Sequence, residues 1–229
     1  MMKDSPPRRP AMPPIGPIKV ALFLVCLLPL AHLVQAGLTD ALGANPIEAI
    51  THATGDWTLR FLLITLAVTP LRRLTGAHWL LRLRRMLGLF AFFYASLHFT
   101  TYIWLDQFFD LQGIAKDVLK RPFITVGFAA FVLLIPLAAT SNSFAIRRLG
   151  GRKWQSLHRS VYAIAILGVT HYWWLVKKDI SEPLLYGSIL AGLLGIRAWW
   201  REVERRKQLA GEYMPKAKLG RKVIQIVPK

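Results

Sequence analysis

Six apolar runs, at residues 18–36, 57–71, 86–105, 123–140, 157–176 and 183–200, alternate with short charged connections, and this alternation limits the fold more than any other feature. Each run is near the ~20 residues a helix needs to cross a hydrocarbon layer of ~30 Å. The second run reaches that length by starting within 52–55. Backbone groups in lipid must find partners inside their own segment, so the runs are predicted as helices. Pro29, Pro136, Gly168 and Gly192 fall inside them, a placement membrane helices tolerate. The expected fold class is an all-α membrane protein with six transmembrane helices.

The connections orient the bundle. Residues 1–19 carry +3, 37–56 carry −3, 72–85 carry +5, 106–121 cancel, 141–157 carry +4, 176–182 cancel, and the stretch from Arg197 carries +7. Positive connections stay in the cytoplasm, so both termini are expected there. The net charge of +18 would suggest nucleic acid in a soluble chain. Here the cations are interleaved with apolar runs, and only 18% of residues are charged against 54% hydrophobic. That pattern belongs to membrane topology, so the expected partner of the basic residues is lipid and no nucleic acid.

Three regions follow: a disordered basic, proline-rich N-terminus at 1–17, a six-helix transmembrane domain at 18–200, and a basic cytoplasmic tail at 201–229. The sixth helix is expected to run on to about Ala210, before Gly211 and Pro215. Arg8 and Arg9 ahead of an apolar run resemble an export signal. No clear small-x-small cleavage site follows Leu30, however, and five more runs come after, so the first run is expected to be retained. The connection at 106–121 mixes apolar and charged residues at helical spacing, which predicts a short helix, solvated or lying on the interface. The single cysteine, Cys26, excludes an internal disulfide and any CxxC metal site.

The stretch 152–174, RKWQSLHRSVYAIAILGVTHYWW, places His158, Arg159 and His171 in an apolar run. Ionisable side chains at membrane depth are costly, which makes them candidates for function. Counted from the basic clusters, His98 lies about 20 Å beyond Arg85, and His171 about 27 Å beyond Lys153, at the helical rise of 1.5 Å per residue. His158 lies only about 7 Å beyond Lys153. His98 and His171 are therefore expected to pair, with His158 near the inner face. His32, His52 and His78 sit close to headgroup level.

Two imidazoles without a carboxylate or thiolate make a poor structural zinc site, which takes four ligands. They suit six-coordinate haem, where the iron transfers electrons. A proton relay or a helix–helix hydrogen bond stays open for the same pair. Phe90, Phe92, Phe93, Ala95, Ser96, Ala163, Ala165 and Gly168 are the expected porphyrin lining, with Arg84, Arg85 and Arg159 as candidate propionate contacts. On one ideal helix His158 and His171 would point about 140° apart, so two haems between the same helices would need tilt or a kink, for which Gly168 is placed.

The segments GDWTLRFLLITLAVTPLRR, RRMLGLFAFFYASLHFTTY and RRLGGRKWQSLHRSVYAIAILGVTHYWW resemble the MsrQ (YedZ) family, over about Gly55 to Trp200. This family of membrane subunits is related to the transmembrane domain of ferric reductases and NADPH oxidases. The resemblance implies a ferric-reductase-like haem-binding bundle in a bacterial inner membrane, with His98, His158 and His171 as haem-iron ligands. It further implies b-type haem, FMN, and electrons drawn from the quinone pool or a cytoplasmic flavin reductase. The acceptor it implies is a periplasmic molybdopterin-dependent enzyme that reduces methionine sulfoxide in damaged proteins. One departure concerns the third helix, where the oxidase relatives have a second histidine and this chain has arginine near Arg84. One haem between His98 and His171 is expected, and a second would need His158 and an unusual partner. The chain is thus expected to be an electron-transfer subunit rather than the catalytic one. Its rivals are a stand-alone ferric or metal reductase and a histidine-relay proton channel or transporter.

Overall fold

The computed structural model describes residues 14–176 and 179–211, and every regular element among them is helical. The proposed N-terminal arm up to residue 13 and the tail beyond residue 211 lie outside the described residues. In chain order the elements are α1 (Ile15–Leu38), α2 (Pro46–Thr75), a 3-10 turn (His78–Leu80), α3 (Leu81–Thr101), a π-helical turn (Tyr102–Asp106), α4 (Leu111–Lys120), α5 (Pro122–Ala139), α6 (Ser143–Leu149), α7 (Gly151–His158), α8 (Val161–Leu175) and α9 (Ser181–Leu209). The chain divides into two units within α9, at Leu190 and Ala191. In the second unit Glu202 holds Arg205 and Arg206 at 2.8 and 2.9 Å, and Gly211 takes φ +72° just past the helix end.

Local chemistry sets the boundaries. Asn45 caps α2 by accepting from the Glu48 N–H at 3.3 Å, and Pro46 follows at the first helical position, where its missing N–H costs nothing. Gly76, at φ +70°, ends the helix in the left-handed conformation that glycine adopts without strain. Asp110 and Asn142 cap α4 and α6 in the same manner as Asn45.

Among the described residues, three stretches are long and apolar enough to cross a membrane by length and composition: α1, His78–Asp106 and α5. The second apolar run lies inside the 30-residue α2, which also carries Asp56 and Arg60. The fifth run differs from expectation. It is not one helix, because α7 ends at His158 and α8 begins at Val161. Between them Ser160 bonds back to Leu157 and Tyr162 to Arg159, three residues each, where a continuous α-helix would bond four back. The 140° objection to His158 and His171 assumed an unbroken helix and loses its basis.

Within the first unit, α2 with α3 and α5 with α8 make the most extensive packings. An aromatic cluster joins α1, α2 and α3: Phe61 stacks on Tyr94 at 5.3 Å and on Phe90 at 5.7 Å, and Phe23 closes on Phe90. Tyr94 also mends α1. Pro29 pushes away the carbonyl one turn earlier and opens the helix there. The Tyr94 hydroxyl enters the opening, accepts from the Leu30 N–H at 3.1 Å and donates to the Cys26 carbonyl at 2.9 Å, a pair that would bond directly in an unbroken helix. Val20, Leu24 and Leu28, four residues apart and each more than half exposed, form an apolar stripe on α1 fit to face lipid.

Where α3 ends, the ladder widens into the π-turn and the Phe109 N–H reaches the Ile103 carbonyl at 2.9 Å. Phe108 and Phe109 both take positive φ, +47° and +62°, and both rings are exposed. The short helix expected in this connection is α4, joined to α5 by a hydrogen bond from the Thr125 hydroxyl to the Val118 carbonyl.

Candidate functional site

His98 on α3 and His171 on α8 face each other across the junction of the two helix pairs, with ring centroids 6.2 Å apart and ring planes at 76°. Each ring is held by backbone from the helix packed against its own. His98 Nδ1 donates to the Thr51 carbonyl on α2 at 2.9 Å, and His171 Nδ1 donates to the Phe123 carbonyl on α5 at 2.7 Å. A carbonyl only accepts, so both Nδ1 atoms carry the proton and both Nε2 atoms keep a free lone pair. This is how a metal-ligating histidine is normally oriented, its second nitrogen tied to a carbonyl.

Both rings line one cavity of about 580 Å³. Its walls come from α2, α3, α5 and α8 and are largely apolar, with Leu59, Leu62, Phe99, Phe128, Phe131 and Leu134 among them. Phe99 lies 4.6 Å from Phe131, and Phe92 stacks on Phe131 from behind. Near the α2 N-terminus the lining turns polar, with Glu48, His52, Asp106 and Arg121. An imidazole–metal–imidazole arrangement with bonds of about 2.0 Å sets ring centroids roughly 6 Å apart, so the observed gap fits one metal ion. Among the described residues no group of three or more His, Cys, Asp or Glu forms a metal cage. Two nitrogens and an apolar slot of this volume are a donor set that fits a porphyrin, while Arg121 in the lining is already paired with Asp117 at 3.3 Å.

His158 lies apart from that pair, at the end bearing the basic connections. The Thr140 hydroxyl donates to the Pro136 carbonyl at 2.6 Å and turns its lone pair to His158 Nε2, 3.0 Å away. Nε2 therefore carries the proton here, and Nδ1 is the open nitrogen. Trp154 stacks on the ring at 4.0 Å and donates from Nε1 to the Thr140 carbonyl at 2.9 Å. Arg159 follows at the end of α7, exposed to the surroundings and outside the cavity lining.

Of the expected porphyrin lining, Ala95 and Gly168 line the cavity. Phe90 and Phe93 belong instead to the aromatic cluster on the other face of α3, and the cavity phenylalanines are Phe99, Phe123, Phe128 and Phe131. Arg121, rather than Arg84 or Arg85, is the arginine in the cavity lining. Two glycines escaped the sequence reading: Gly55 lies against the His98 ring and Gly127 against the His171 ring. The signal for both was a glycine in a neighbouring run at the depth of a buried histidine.

Residues 54–169 match the family described as ferric reductase like transmembrane component. A relative from Herminiimonas arsenicoxydans is 59% identical over 88% of this chain and 93% of its own length. Relatives from Azospira oryzae and Bordetella pertussis are 60% and 58% identical, over 83% and 82% of this chain and 81% and 92% of theirs. All three bear the name protein-methionine-sulfoxide reductase heme-binding subunit MsrQ. No solved structure matches the chain.

Proposed function

Because the chain belongs to the MsrQ family, whose named members are heme-binding subunits with a ferric-reductase-like transmembrane component, we propose that it is a haem b electron-transfer subunit of a methionine sulfoxide reductase system. The observation that carries this reading is the pair His98 and His171, with each Nδ1 tied to a carbonyl, each Nε2 free and the centroids 6.2 Å apart. A b-type haem held by two imidazoles supplies one-electron chemistry and leaves no open position for substrate. His98 and His171 would hold its iron, and the Thr51 and Phe123 carbonyls fix the rings and raise their basicity. The phenylalanine and leucine walls exclude water and lower the local dielectric, the protein's other means of tuning a redox centre.

In this proposal the helices make six spans with both termini cytoplasmic, a topology supported by the alternating charge of the connections. The membrane is the bacterial inner membrane, and the His98–His171 end faces the periplasm. Electrons enter from quinone or from a cytoplasmic flavin reductase, with FMN as a second cofactor of the chain on the family resemblance alone, and leave to a periplasmic molybdopterin-dependent reductase. His158 and Arg159 would serve a second haem only if Thr140 released Nε2 or the iron took Nδ1, so the proposal counts one haem per chain. Purified protein should show a reduced-minus-oxidised spectrum with sharp b-type bands at that stoichiometry. A colourless protein from haem-replete cells would sink the reading.

A further inference from the structure

The two imidazoles are each pressed against a glycine. A Cβ built on Gly127 would lie 2.7 Å from His171 Nδ1, 2.8 Å from Cε1 and 3.1 Å from Cγ. One built on Gly55 would lie 3.1 Å from His98 Cε1 and 3.2 Å from Nδ1. Carbon contacts settle at about 3.5–4.0 Å, so each ring fills the space of a missing methyl group. Neither backbone needs glycine for its own sake, since both positions lie inside helices and neither has positive φ.

The carbonyl that binds each ring belongs to the residue four before the glycine: Thr51 for Gly55 and Phe123 for Gly127. Residues four apart stack on one helix face. One turn of α2 thus offers an acceptor for the ring edge and a bare floor beneath it, and one turn of α5 repeats the arrangement. Edge and floor together define the plane of each ring. Because each ring takes its plane from its own helix pair, the 76° between them is imposed by the protein.

Resting on the haem reading above, we infer that Gly55 and Gly127 are positioning residues that set the rotation of the two axial imidazoles, and through it the electronic state of the iron. Loss of such support typically weakens metal retention roughly 10–100-fold. The two positions should differ in degree, because Gly127 has no room for a methyl while His98 could clear one at Gly55 by a few tenths of an ångström.

The test is electron paramagnetic resonance of the oxidised full-length protein in detergent, alongside haem retention and thermal unfolding. Near-perpendicular imidazoles give a strongly anisotropic low-spin ferric signal, which the unsubstituted protein should show. Gly127→Ala should move it toward the rhombic form of parallel ligands and weaken haem retention at least tenfold, and Gly55→Ala should do the same to a smaller degree. Gly88→Ala, on α3 but outside the cavity lining, whose Cβ would meet Thr65 Cγ2 at an ordinary 3.7 Å, should leave both readouts unchanged. Alanine is the better helix former, so glycines with no role predict equal or higher thermal midpoints and a purely packing role predicts lower ones, in both cases with folded variants and an unaltered signal. That result for Gly127→Ala overturns the inference, as does an unaltered Gly55→Ala should Gly127→Ala fail to accumulate. Absence of haem from the unsubstituted protein would instead overturn the haem reading.

Discussion

His158 and the His98–His171 pair share a residue type and the flank of an apolar run, yet the structure uses them in opposite senses. At the paired end fixed backbone carbonyls take Nδ1 and leave both Nε2 lone pairs in a common cavity. At the basic end a threonine hydroxyl takes Nε2, and a tryptophan covers the ring face. A buried histidine is thus read by which nitrogen is spoken for, and only secondarily by its depth. His158 as it stands ties the end of α5 to α7 through Thr140 and Trp154.

Four experiments bear on the contrast between the two ends. His98→Ala and His171→Ala should each remove nearly all b-type absorbance, because in the haem reading a single imidazole would remain to hold the iron. Retention of the full spectrum by either variant would dissolve the distinction between the two ends. Depleting haem during growth should lower the thermal stability of the purified protein, by about 2.7 kcal/mol relative to protein with haem a hundredfold above its Kd. Haem-independent unfolding would argue that the paired end is packed without its ligand. Thr140→Val leaves His158 Nε2 without its acceptor and should cost about 1 kcal/mol in unfolding experiments while sparing the haem spectrum. Smallest of all should be the effect of His158→Ala on haem, where the ratio stays at one per chain. A fall to half the original haem content would place a second haem at the basic end.

Much of this was legible because membrane helices obey simple counting. The rise per residue and the basic clusters put His98 and His171 at comparable depth, and the structure brings their rings together. Two helical segments followed the apolar runs closely, α1 and α5 lying within a few residues of 18–36 and 123–140, whereas α2 begins at Pro46, well ahead of 57–71. The break at Arg159–Ser160 was hidden because hydropathy continues through it, although an arginine inside an apolar run was a sign of discontinuity. The Thr51 and Phe123 carbonyls were invisible in principle, since every residue has one and only packing selects the acceptor. Gly55 and Gly127 were obscured by how common glycine is in membrane helices, where most serve close packing. Composition could not tell Phe90 from Phe99, because both lie on α3 and only rotation about the helix axis sends one to the aromatic cluster and the other to the cavity.

The two brackets, each an imidazole held by a carbonyl of the helix packed against its own, also bear on biogenesis. His98 and its acceptor Thr51 lie on helices adjacent in the chain, so the first bracket is complete as soon as α3 has been synthesised and packed on α2. The second waits for α8, because His171 and Phe123 are separated by α6 and α7. A nascent chain leaving the ribosome therefore carries one ready imidazole through the synthesis of four further helices. In the haem reading, an iron held by both imidazoles would be clasped only once α8 is in place, which would make cofactor capture a late step of assembly.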